Sequence, residues 1–108
     1  MSSLTKNDRK EIRDLIARAY TKEISQHLNY LAGKFKEWQE QSIDCWELCD
    51  LIHGFHNGAS RELFSLYHQT SFDSVLIQRA LLQGLIQKEN ISKELFKKLN
   101  LSETDILT

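Results

Sequence analysis

Residues 24–38, ISQHLNYLAGKFKEW, place large apolar side chains at Ile24, Leu28, Leu31, Phe35 and Trp38, in alternating steps of four and three. That spacing returns to one side of an α-helix every two turns and makes a heptad seam. Working back toward the N-terminus, Ile12, Leu15, Ile16, Ala19 and Tyr20 extend the same stripe. Thr5 and Asp8 stand three apart, the spacing of a capping box, so the helix is expected to open at Thr5 and run over 5–41. Gly33 and the Thr21-Lys22 region are its candidate break points, although one interior glycine costs only about 1 kcal/mol relative to alanine.

Unbroken, such a helix would be roughly 50 Å long at the rise of an α-helix. A compact domain of 108 residues is only about 34 Å across, taking twice the radius of gyration with a margin for its surface. Either the helix breaks or its seam needs another cover, and a second copy of the chain is the simplest one. Ile24, Leu28, Leu31, Phe35 and Trp38 are therefore the expected interface of a homodimer.

Working forward, four shorter helices are expected over 44–99. Asp44 followed by Glu47 repeats the capping-box pattern, with Ile43 and Leu48 at the positions of a hydrophobic staple. Leu48, Leu51, Ile52 and Phe55 then share one face. Asn57-Gly58 reads as a terminator, because both residues tolerate the left-handed conformation. Ser60 reads as the cap of a short helix with Leu63, Phe64, Leu66 and Tyr67. Ser71 reads as the cap of another, from Phe72 to about Lys88, ended by Asn90. Ser92 opens a last one over Lys93–Leu99, and 100–108 is left as a tail. Val75 is the only valine and no alternating β-branched segment occurs. The expected fold is all-α: one helical domain over 1–108, a small bundle of about five helices with a long first one.

The charge balance, 15 acidic against 14 basic residues, lacks the basic excess on which phosphate-backbone affinity depends. Nucleic-acid binding is a second alternative only. It would use Lys93, Lys97 and Lys98 with Arg79 and Lys88, a group that reads more simply as a solvated face. A helix-turn-helix across Asn57-Gly58 fails because the helix after the turn is too apolar to face DNA. The N-terminus turns polar at once, unlike a secretory signal, and no run approaches the roughly 18 apolar residues of a membrane span. With two cysteines as free thiols, a cytoplasmic protein is expected.

Unusual side chains concentrate in Cys45, Cys49, Asp50, His53, His56 and Arg61. Cys45, Cys49, His53 and His56 form one strip of a helix and offer soft ligands of the kind zinc or copper takes. A single strip cannot surround a tetrahedral ion, so no metal is expected, and the cysteines read as small hydrophobes at the core edge. Asp50 and His53 at i, i+3 could orient an imidazole as in acid–base catalysis, but no nucleophile motif accompanies them. His56 reads as a helix C-terminal histidine favoured by the dipole. Arg61 in a first turn opposes that dipole, which implies a contact, either with Asp50 or with a ligand. Asp50, His53, His56 and Arg61 are the candidate ligand-binding set. No phosphate loop, dinucleotide fingerprint, zinc-protease motif or calcium loop is present, and no cofactor is expected. The leading expectation is a non-enzymatic helical protein–protein interaction or regulatory domain. A small-ligand or metal-binding protein centred on His53, His56 and Arg61 is the alternative.

Overall fold

In the computed structural model, which describes residues 4–68 and 73–101, the chain is all-α. Helix α1 (Lys6–Gln39) is followed by α2 (Cys45–Phe55), a π turn (His56–Ser60), α3 (Arg61–Tyr67), α4 (Asp73–Leu82), a 3₁₀ turn (Lys88–Asn90) and α5 (Lys93–Lys98). No strand occurs among the described residues, and no helix there is long and apolar enough to cross a membrane.

The first helix is unbroken. Thr5 N–H donates to Asp8 Oδ2 (2.8 Å) and Asp8 N–H to Thr5 Oγ1 (3.0 Å), so the capping box satisfies the first turn. Neither candidate break point interrupts it, and a Cβ at Gly33 would meet nothing within 4 Å. It ends in a Schellman motif: Gln41 N–H reaches the Trp38 carbonyl and Ser42 N–H the Glu37 carbonyl, with Gln41 at φ 64°. Glycine is the usual occupant of that left-handed position, and without one the end carries no local signal in the sequence.

Asp44 caps α2 as its spacing predicts, its carboxylate accepting from Glu47 N–H at 2.8 Å. The expected stop at Asn57-Gly58 does not occur. Phe55, His56, Ser60 and Arg61 all keep right-handed helical angles, and Cys45–Tyr67 is one helical run with a π turn inside it. Counted that way, the described residues form four helical runs, not five. Ser60 makes no cap hydrogen bond, and Arg61 stands inside the run rather than in a free first turn. For the same reason His56 does not sit at a free C-terminus.

The spacing of inward-facing residues explains the π turn. Phe55 to Leu63 is eight residues and Phe55 to Tyr67 is twelve, one more in each case than the seven and eleven of a helical seam. In an uninterrupted α-helix that extra residue would swing Leu63 and Tyr67 by about 100°. A π turn takes it up. Leu63 and Tyr67 are accordingly buried, as is Leu48 in the first turn of the run.

The expected start of α4 at Ser71 and Phe72 lies outside the described residues. Its end is earlier than expected. Gly84 takes φ 71°, with Gly84 N–H on the Leu81 carbonyl and Leu85 N–H on that of Ala80, a second Schellman motif. Leu85 and Ile86, which extend the apolar stripe in sequence, are buried from irregular backbone after the helix. Asn90 ends no α-helix; its Oδ1 accepts from Gln87 N–H (2.8 Å) at the 3₁₀ turn. Ser92 caps α5 as expected, accepting from Leu95 N–H at 3.2 Å. Asn100, at φ 56°, closes α5 with a third Schellman motif, and 102–108 of the expected tail lie outside the described residues.

The chain divides into two compact units, Met1–Tyr20 with Gln69–Thr108, and Thr21–His68. The core of the first consists of Ile12, Leu15 and Ala19 of α1, Leu76, Ile77, Ala80 and Leu81 of α4, and Leu85, Ile86, Ile91 and Leu95 beyond it. Polar clamps tie its segments. Glu11 accepts from both Ser92 N–H (2.7 Å) and Ser92 Oγ (2.9 Å), and Lys98 Nζ pairs with the nearly buried Asp8 carboxylate. Lys98 first, and then the Thr5 backbone, hold the Asp8 carboxyl below the ordinary carboxylate range. The second unit is a helical hairpin of residues 21–39 against Cys45–Tyr67. Leu48, Leu63 and Tyr67 are buried in it, with Glu23, whose Oε1 accepts from Tyr67 Oη at 2.7 Å.

Candidate functional site

The hairpin of residues 21–68 carries both the expected interface and the expected ligand residues. Of the seam, Ile24 and Leu31 are half-buried, whereas Leu28 (46% exposed), Phe35 (41%) and Trp38 (41%) remain open to solvent. Trp46 is 80% exposed on α2, and Phe64 on α3 is also open, its ring stacked on that of His68 at 4.0 Å. Large exposed aromatic and aliphatic groups thus recur along this unit, where isolated single ones would be unremarkable.

The charge beside the seam is neutralised within the helix. Lys34 Nζ pairs with Glu37 at 3.3 Å and lies 5.4 Å from the Tyr30 ring centroid. The Glu37 carboxylate holds the Lys34 ammonium above the ordinary lysine range. At the seven-residue repeat, the other positions flanking Leu28, Phe35 and Trp38 are Ser25, His27, Ala32 and Gln39. None of these is a fixed charge.

The ligand candidates are all carried by the helical run Cys45–Tyr67. Asp50 lines a groove of about 270 Å³ between α1 and α2, together with His27, Tyr30, Leu31, Leu51, Gly54, Phe55 and Ala59. His53, His56 and Arg61 are exposed and lie outside that lining. Among the described residues no ion pair joins Arg61 to Asp50. Cys45 and Cys49 are free and exposed, so they are not the buried core-edge residues their small apolar character implied. Cys45 instead lines a hollow of about 550 Å³ at the turn into α2, with Trp38, Ile43 and Glu47. Among the described residues, no three or more His, Cys, Asp or Glu side chains form a group able to hold a metal ion.

Sequence reasoning could not place His27 and Tyr30, the groove's contributions from α1. Only pairing of α1 with α2 brings them opposite Asp50, and nothing local marks them. Glu23 was missed too, although a signal existed. It follows Ile12, Leu15 and Ala19 at the next step of four on the inward stripe, where an acid requires a donor. Tyr67 supplies one.

No protein-family model, characterised protein or solved structure gives a significant match to this chain.

Proposed function

We propose that the protein is a non-enzymatic helical interaction domain that self-associates through the hairpin of residues 21–68. The observation that carries this reading is the open seam of Leu28, Phe35 and Trp38 on α1. Three large apolar groups at helical spacing, each more than two-fifths exposed, form a stripe that a like stripe can cover. Self-association, rather than capture of a charged partner, is favoured by the flanks: Lys34 is neutralised by Glu37, so two copies meet without a charge conflict. An isologous pair also buries both stripes in one interface. Exposed free thiols at Cys45 and Cys49 suit a reducing cytoplasm, the compartment this reading assumes.

Size-exclusion chromatography with light scattering tests it. At high micromolar concentration the mass should be twice the 12.6 kDa of the chain. Leu28→Lys with Phe35→Lys should return it to the monomer, since buried unpaired charge is incompatible with such a seam. A parent protein that stays monomeric defeats the proposal.

A further inference from the structure

Separate from the hairpin, α5 and the 3₁₀ turn before it enclose a hollow of about 590 Å³, lined by Lys88, Glu89, Ile91, Lys93, Phe96 and Lys97. Ile91 is buried and Phe96 half-buried, so the floor is apolar. Among the described residues the rim carries three ammonium groups and one carboxylate. Lys88 Nζ stands 5.5 Å from the Phe96 ring centroid, placing a cation over the aromatic floor. Lys98, the neighbouring lysine, is not part of this rim and is paired with Asp8.

We infer that this hollow docks an acidic amphipathic helix of another protein, bearing two carboxylates one turn apart and a large apolar side chain beside them on the same face. Charge complementarity selects an acidic partner, since Lys93 and Lys97 are exposed on this rim and no ion pair among the described residues joins either to a carboxylate. Lys93 and Lys97 are i and i+4 on α5, which sets them about 6 Å apart at their Cβ atoms. Acidic residues at i and i+4 of a partner helix have the same pitch, and residue i+3 lies beside them on the same face. That residue seats against Ile91 and Phe96 while the carboxylates reach Lys93 and Lys97. An extended strand fits less well, because its successive side chains alternate sides and the apolar group would turn away. A phosphate backbone is opposed by Glu89 on the rim and by the apolar floor. A small ligand would need fixed polar groups to orient it, and the polar groups of this lining are long, exposed side chains.

The test is fluorescence anisotropy of the full chain with a labelled synthetic helix carrying Glu at i and i+4 and Leu at i+3. Binding should weaken as salt rises. Lys93→Glu with Lys97→Glu should weaken it by about tenfold or more, and the double variant should prefer a peptide with Lys in place of both Glu residues. Both lysines are exposed, so the variant should keep the parent's circular dichroism. A peptide with Gln in place of Glu tests the same contact without altering the protein, and it should bind about tenfold more weakly. Equal affinity for the Glu and Gln peptides overturns the inference, as does unchanged binding by the double variant. Retention on heparin without binding of the acidic helix overturns it in favour of a phosphate-bearing partner. The hairpin reading stands or falls separately, by mass.

Discussion

The two units draw apolar residues from the same helix and treat them differently. In the unit holding residues 4–20 and 73–101, Ile12, Leu15 and Ala19 of α1 are all buried, and the segments from Leu76 to Leu95 close over them. In the unit of residues 21–68, Leu28, Phe35 and Trp38 of α1 are open, although their helical spacing is at least as regular. The first unit brings three helical segments and a buried loop to its stripe. The second brings a single helical run, whose own buried face is narrow. Periodicity thus states which residues can be covered, while coverage depends on how much chain is left to cover them.

The sharpest way to break this contrast is to truncate one leucine in each unit. Leu95→Ala, at a position with no exposed surface, should cost about 3 kcal/mol, because it leaves a cavity in a closed core. Leu28→Ala should cost about 1 kcal/mol or less in the dilute protein, because nearly half of that side chain already faces water. Denaturant titration of both variants measures the pair. Equal losses would mean that the seam is covered in solution.

A smaller effect probes the polar contact inside the hairpin. Tyr67→Phe removes the hydroxyl that donates to the buried Glu23 carboxylate and should lower stability by about 1–2 kcal/mol. Loss of less than a few tenths would show that water replaces the donor, and hence that the hairpin's interior is more open than that of its counterpart.

The last effect appears only in acid. Asp8 titrates below its ordinary value in the folded chain, so it contributes stability that is complete above the usual carboxylate range. That contribution is lost as pH falls below about 4 and through the depressed folded value. Melting temperatures followed downward from neutral pH should therefore drop less steeply in Asp8→Asn than in the parent. Parallel profiles would remove the Asp8–Lys98 clamp from the account of the first unit.

How much of this was legible beforehand depended on range. Helix starts at Thr5/Asp8, Asp44/Glu47 and Ser92 could be read because each is settled within one turn by a side chain and a backbone N–H. Helix ends were less readable. Gln41 adopts a conformation that glycine adopts more easily, while Gly84 stops a helix whose apolar pattern continues through Leu85 and Ile86. Asn57-Gly58 misled in the opposite direction, because hydrophobic contact of Leu63 and Tyr67 holds the chain helical through two residues that favour turns. Of the groove, Asp50 could be singled out from its crowded neighbourhood. His27 and Tyr30 could not, since their relation to it is purely tertiary.

The π turn at His56–Ser60 has a consequence for the gene. Within it a Cβ at Gly58 has open space, so replacement of that codon is sterically harmless. Loss of the same codon is equally mild: Leu63 and Tyr67 would then follow Phe55 by seven and eleven residues, and the run from Cys45 to Tyr67 could become a plain α-helix with both still on the hairpin's inner face. The π turn is thus where the fold holds one codon more than a plain helix needs.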